Sequence, residues 1–221
     1  MKRSAVNAAL RQAEDTLTEF RWALPAWARW QPSDFAANPE TAAFLRDHQM
    51  GWDVTDFGLG DFGRRGLTLF CVRNGMQSDP NSVPYAEKLL FVAEDQETPF
   101  HCHHVKMEDI INRGGGNLII EFRHEDERDA PISIMVDGRM VTLAPDEPLR
   151  LTPGESVTIP RRLYHRFYGE PGHGLVFCGE VSQVNDDNVD NYFLEPVGRF
   201  SSIEANEPPL YPLWNETGGT A

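Results

Sequence analysis

The chain has 221 residues, 40% of them hydrophobic and 24% charged, a composition that excludes both a disordered tract and a membrane-embedded bundle. Its 20 Lys and Arg stand against 34 Asp and Glu, and the resulting charge of -14 repels nucleic-acid phosphates and anionic lipid surfaces. Nucleic acid and membrane are therefore excluded as expected partners, and small molecules that are neutral or cationic are favoured.

Met1-Lys2-Arg3-Ser4 leads directly into an amphipathic pattern with no apolar leader, and no later run is long enough to cross a bilayer. Between Ser4 and Leu24 the apolar positions Val6, Leu10, Ala13, Leu17, Phe20 and Leu24 recur at steps of three and four, the period of one helix face, and Pro25 is expected to end the run. A second helix is expected over Pro39 to His48, so that residues 1–50 form a helical N-terminal cap ahead of the turn-rich stretch Gly51 to Gly66. From about residue 66 to 200 the pattern changes to short runs rich in β-branched and aromatic residues: Leu67 to Val72, Lys88 to Ala93, Asn117 to Phe122, Ile132 to Val136, Val157 to Ile159 and Leu175 to Cys178. Strands punctuated in this way make an all-β sandwich or barrel, and Asp137-Gly138 supplies the tight turn of a hairpin joining Ile132–Val136 to Arg139–Leu143. The Pro-rich segment 204–221 is expected to wrap the surface and fray at its end. Length and the absence of a linker favour one domain over residues 1–221. Cys71, Cys102 and Cys178, odd in number and scattered, suit a reducing compartment, and the expected location is the cytoplasm.

Chemistry concentrates in His101-Cys102-His103-His104-Val105-Lys106-Met107-Glu108. Residues two apart in a strand share a face, so His101 and His103 present two imidazoles to one point, and Glu108 adds a carboxylate from the next strand. That donor set suits a borderline divalent ion such as Mn²⁺, Fe²⁺, Co²⁺ or Zn²⁺. A lone His-x-His is more often a surface or core accident than a metal site. Here the stretch resembles the first motif of the cupin superfamily, with His101, His103, Glu108 and Gly115 at its spacing and Asp95 where the leading Gly belongs. The second cupin motif is matched by Gly154, Pro160 and His165, with Arg162 in place of its second Gly. The resemblance implies a double-stranded β-helix (jelly-roll) barrel, His165 as fourth ligand, one bound divalent metal and a homodimer. His104 alternates with the ligands and is expected to pack or hydrogen-bond outward, while His48, His124 and His173 are expected at the surface.

A cupin metal does not fix a reaction. Between about Trp52 and Pro208, however, His-x-His-x-x-Lys-x-Glu-Asp, Gly179-Glu180-Val181-Ser182, Asn185-Asp186-Asp187 and the run Phe193 to Phe200 together resemble the D-lyxose isomerase family. This implies a manganese-dependent aldose–ketose isomerase that converts D-lyxose to D-xylulose and D-mannose to D-fructose. Such a reaction needs a Lewis acid for the sugar oxygens and a base that shuttles a proton between adjacent carbons. Glu195 is the first candidate for that base and Glu180 the second, because a carboxylate desolvated inside a barrel is expected to have a raised pKa. Lys106 is a candidate for polarising the sugar oxygen or stabilising an enediolate, Lys88 for the same duty from an earlier strand, and Asp187 and Arg199 for binding distal hydroxyls or holding the catalytic carboxylate. Trp52, Phe57 and Tyr164 read as packing rather than site residues. The rival readings are an iron-dependent cupin dioxygenase and a non-catalytic sugar-binding cupin. A phosphosugar isomerase needs a basic cluster, whereas Arg161, Arg162 and Arg166 alternate and are expected to split between faces.

Overall fold

A computed structural model of the chain describes residues 1–127 and 129–217. Its helices are α1 (Arg3–Glu19), α2 (Pro32–Ala37) and α3 (Pro39–Asp47), with short 3₁₀ turns at Ala26–Arg29 and Trp214–Glu216. The strands are β1 (Gly51–Thr55), β2 (Leu67–Asn74), β3 (Tyr85–Val92), β4 (Thr98–Cys102), β5 (Glu108–Gly115), β6 (Leu118–His124), β7 (Ile132–Val136), β8 (Arg139–Leu143), β9 (Leu149–Leu151), β10 (Ser156–Ile159), β11 (Leu163–Gly169), β12 (Val176–Gln183) and β13 (Tyr192–Phe193). They pair antiparallel in two sheets, one ordered β1-β2-β3-β12-β5-β10-β7-β8 and the other β13-β4-β11-β6-β9. This is the expected jelly-roll barrel with a helical cap. β1 joins the larger sheet from within the stretch read as turns, so the sheet begins ahead of residue 66.

Alternation decides which side chains enter the barrel. In β7, Ile132, Ile134 and Val136 are buried while Ser133 and Met135 face out. With Val92, Ile110, Ile120, Phe122, Val157 and Val176 they fill the space between the sheets. At the other end of the larger sheet, β1, β2, β3 and β12 bury both faces. Their outer face, with Trp52, Val54, Phe70, Leu89, Phe91 and Phe177, takes the stripe Val6, Leu10, Ala13 and Leu17 of α1. Trp52 lies in this layer, its indole N–H donating to the Ala28 carbonyl at 2.8 Å. The C-terminal segment closes over α1: Asn7 donates to the Pro208 carbonyl and accepts from the Leu210 N–H, both at 2.8 Å, and Leu213 and Trp214 are buried. The expected fraying concerns residues 218–221, which lie outside the described ones.

Helix α1 stops at Glu19, five residues short of the expected end at Leu24. Arg21 takes φ +53°, Trp22 N–H reaches the Leu17 carbonyl and Arg21 N–H the Thr18 carbonyl, which together make a Schellman cap. The same cap ends α3, with Gln49 at φ +53° and Met50 N–H on the Leu45 carbonyl. Neither has the glycine that would have marked it. A related substitution occurs where the cupin motifs expect glycine: Asp95 (φ +55°) and Arg162 (φ +66°) adopt the left-handed conformation themselves. The turn geometry is kept without the residue that usually supplies it. In the β7–β8 hairpin, Asp137 and Gly138 both have positive φ, as its two-residue turn requires. No described helix is long and apolar enough to cross a membrane.

Because α1 lies on the outer face, Leu10→Ala should lower unfolding stability by about 2–5 kcal/mol, the range for emptying a fully buried leucine site. Metal affinity of the folded protein should not change. Denaturant unfolding and a calorimetric Mn²⁺ titration check the two parts.

Candidate active site

His101, in β4, sits directly opposite His165, in β11, and both come from the smaller sheet. Glu108 opens β5 in the larger sheet, and His103 lies one residue beyond β4, in the connection between the sheets. One ligand atom from each of the four lies within 4.8 Å of all the others, and all four residues are buried. Each imidazole is oriented from behind. Nδ1 of His101 faces the Pro99 carbonyl at 2.8 Å, that of His165 the Leu163 carbonyl at 3.2 Å, and that of His103 the Asp190 carbonyl. With Nδ1–H donating to a carbonyl, the Nε2 lone pair is left for the shared point. His165 Nε2 and Glu108 Oε1 stand 3.0 Å apart, and neither has a hydrogen-bond partner. Buried polar atoms left this way are rare, and three imidazole nitrogens with one carboxylate fit a divalent ion.

Burial, followed by the neighbouring His165 and His103, keeps the His101 imidazole well below its usual pKa, while burial and Lys106 take His103 down to about 3. Both imidazoles are neutral at physiological pH. Burial by itself would raise the Glu108 carboxyl, but Lys106 and the imidazoles outweigh it and hold it well below the usual carboxylate range. Lys106 Nζ lies 2.7 Å from Glu108 Oε2 and 2.6 Å from Glu180 Oε1. Burial would favour a neutral amine, yet these two carboxylates reverse that and hold it as an ammonium. Glu180, on β12, also faces Lys88 Nζ at 3.9 Å. Lys88 in turn lies 3.4 Å from Asp187, and Arg199 Nη2 joins Asp187 (3.1 Å) to Asp53 (2.7 Å). Charges therefore alternate in sign from β1 to the imidazole cluster. They enclose a cavity of about 40 Å³, lined also by Phe57, Thr98, Asn191 and Phe193. Two wall atoms, Thr98 Oγ1 and Arg199 Nη1, are buried without a hydrogen-bond partner.

The D-lyxose isomerase family model matches this chain over residues 1–217. The chain belongs to the D-lyxose isomerase family. It is 46% identical over 224 residues to a protein of Serratia proteamaculans named D-lyxose/D-mannose isomerase, covering 98% of this chain and 97% of the relative. A protein of the same name from Escherichia coli O157:H7 is 44% identical over 223 residues, covering 98% of each. The solved structure of ligand-free Cellulomonas parahominis L-ribose isomerase superposes with a TM-score of 0.62 over 92% of this chain and 98% of that one. At 15% identity, that likeness concerns the fold alone.

In this D-lyxose isomerase family member the expected residues separate into two groups. Lys88, Lys106, Glu180, Asp187 and Arg199 meet at the cavity beside His101, His103, Glu108 and His165. Glu195 does not line it. Its carboxylate is 42% exposed and held on the outside by Nη1 and Nη2 of Arg65, each at 2.8 Å, and this pairing lowers its pKa. The premise that made it the first candidate base, a carboxyl raised by burial in the barrel, is contradicted. Arg65 lies 130 residues away in the chain, so nothing near Glu195 in sequence announces the pair. Asn191 and Phe193, absent from the expected site, line the cavity, as does Phe57, read as packing, while Asp53 joins it through Arg199. Alternation offered a signal for Asp53, an acid between Trp52 and Val54 on a strand whose apolar neighbours face the other way. His104 behaves as expected, stacked on Tyr192 with ring centroids 3.8 Å apart.

The neutral imidazoles make acid stability a readout of the cluster. Between pH 6.5 and about 3 the unfolded chain protonates His103 and the folded chain does not. Stability of the metal-free protein should therefore fall with pH below about 6.5, by up to about 1.4 kcal/mol per pH unit from His103, with His101 adding in the same direction. Thermal melting of chelator-treated protein checks this, and an unchanged Tm between pH 7 and 5 contradicts it.

Proposed function

We propose that this protein is a divalent-metal-dependent aldose–ketose isomerase that interconverts D-lyxose with D-xylulose and D-mannose with D-fructose. The single observation that carries the reading is the carboxylate of Glu180 held by Lys106 directly beside the four-ligand cluster, at a cavity that both line. Family membership and the names of the relatives agree with it. His101, His103, Glu108 and His165 would hold the ion, with Mn²⁺ proposed ahead of Co²⁺, Fe²⁺ or Zn²⁺. When bound, it supplies Lewis acidity that draws electron density from neighbouring sugar oxygens.

Glu180 is assigned as the base. Its carboxylate takes the proton from C2 of the aldose, the electron pair of that C–H bond becomes the C1–C2 double bond while the C1=O π pair moves onto O1, the hydroxyl proton passes from O2 to O1, and the same carboxyl returns its proton to C1 as the C2=O bond of the ketose forms. The Lys106 ammonium, with Lys88 behind it, steadies the negative charge that accumulates on the sugar oxygens. Arg199 and Asp187 are assigned to the distal hydroxyls, with the unpartnered Arg199 Nη1 as the donor. Asp187, Asn191 and Phe193 contribute to the cavity wall beside this group.

Lys88, Lys106 and Arg199 are each engaged by two carboxylates, and Arg161, Arg162 and Arg166 bond outside the cavity to Val105 and Gln183, to Glu125, and to Glu97 and Glu121. This arrangement fits a neutral monosaccharide and disfavours a sugar phosphate. A dioxygenase or a non-catalytic sugar-binding role gains no support from the family match or from the lysine–carboxylate pair. One domain over residues 1–221, a homodimer and a cytoplasmic location complete the proposal; the three buried, unpaired cysteines favour the last.

Chelator-stripped protein should regain ketose formation from D-lyxose and D-mannose with Mn²⁺, and should leave D-mannose 6-phosphate unconverted. Glu108→Ala should abolish both metal uptake and turnover. Glu180→Gln should bind Mn²⁺ as the parent does but lose about 10²–10⁴-fold in kcat, the share of a positioned acid–base group. Glu195→Gln should stay within about threefold of the parent, since loss of a surface pair is a small effect. Near-normal kcat in Glu180→Gln together with a collapse in Glu195→Gln contradicts the assignment.

A further inference from the structure

The four residues between His103 and Glu108 belong to no strand, yet they set the separation of two ligands and carry Lys106. Three of their four backbone N–H groups are held by one side chain more than eighty positions away, and the fourth, of Met107, by Gln183. Asp190 is 1% exposed, and its Oδ1 accepts from the N–H groups of His104 at 2.8 Å and Val105 at 3.1 Å, while its Oδ2 accepts from Lys106 N–H at 3.2 Å. Its own carbonyl takes the hydrogen bond from His103 Nδ1. Asp190 is itself fixed. Its N–H bonds the Asp186 carbonyl at 3.0 Å, and Gln49, left-handed at the end of α3, clasps the Asp186 carboxylate and the Asp187 N–H at 2.8 Å each.

We propose that Asp190 is a positioning residue for this active site: its carboxylate preforms the turn that aims His103 Nε2 at the ligand point and Lys106 Nζ at Glu180. This rests on the isomerase reading for its catalytic consequence, but its metal consequence stands apart. A carboxylate offers acceptors on both oxygens, so three converging N–H groups are satisfied without a competing donor. An amide of the same shape turns an NH₂ group toward one of them. The same segment brings Asp187 and Asn191 to the cavity wall, so one anchored stretch serves both the ligand turn and the sugar-facing wall.

The test is Asp190→Asn in the full chain, read by calorimetric Mn²⁺ titration of chelator-stripped protein and by the visible spectrum of the Co²⁺-loaded form. Mn²⁺ Kd should rise about 10–100-fold, the usual consequence of losing a group that orients a ligand, and the Co²⁺ bands should shift. A Kd within twofold of the parent with an unchanged Co²⁺ spectrum overturns the proposal, even if the melting temperature drops, because that pattern belongs to a merely structural contact. Should Asp190→Asn fail to fold, amide hydrogen exchange in the metal-free parent decides: protected His104, Val105 and Lys106 amides support a turn preformed by Asp190, and rapid exchange at these amides overturns it. Failure of the isomerase reading is separately visible as a parent that binds Mn²⁺ and turns over neither sugar.

Discussion

Two carboxylates on neighbouring strands share one ammonium deep in this barrel. Glu108 on β5 and Glu180 on β12 both point inward from the larger sheet, where two buried carboxylates without a counter-charge would be in conflict. Lys106 Nζ, 2.7 Å from one and 2.6 Å from the other, removes that conflict. Glu108 stays ionised within the His101–His103–His165 cluster, and Glu180 is held beside the same point. The chain of alternating charge continues through Lys88, Asp187 and Arg199 to Asp53. Burying so many charges is a poor route to stability, since well-packed apolar residues often do as well or better. Their presence is explained by the chemistry that the cavity is proposed to perform.

The fold supplies the frame for this interaction by facing two sheets across one interior. The smaller sheet contributes His101 and His165 on paired strands, and the larger contributes Glu108 and Glu180. Apolar side chains from Ile132, Val157 and Val176 fill the remainder of that interior, which limits water and sharpens every charge–charge term near the cluster. Outside, α1 covers the sheet through Val6, Leu10 and Leu17, so β1, β2, β3 and β12 are clamped on both faces. The end of α3 reaches further in function than in packing, because Gln49 ties down the segment that carries Asp187 and Asp190.

Local spacing explains what was legible in the sequence. His101, His103 and Glu108 lie within eight residues, strand alternation fixes their faces, and Asp137-Gly138 dictates its own turn. β7 and β8 were readable to the residue for the same reason. Illegible features depend on partners distant in the chain or on backbone conformations with no residue signature. The early stop of α1 rests on Arg21 in a conformation usually marked by glycine, as Gln49, Asp95 and Arg162 also adopt it without that residue. Glu180 and Glu195 look alike as letters. Arg65 on one side and Lys106 on the other decide which is outside and which is in. Asp190, in a polar run that reads as loop, shows its role only when its carboxylate is seen against the His104–Lys106 amides.

The most direct test of this account removes the shared ammonium. In Lys106→Met, a side chain of similar reach without charge, calorimetric Mn²⁺ titration and D-lyxose turnover should be measured on the same preparation. The account predicts one Mn²⁺ still bound by His101, His103, Glu108 and His165 while ketose formation falls by about 10²-fold or more, the scale of one lost electrostatic stabiliser. Full turnover in the manganese-loaded variant would contradict it, because Glu108 and Glu180 would then serve the reaction without the cation between them.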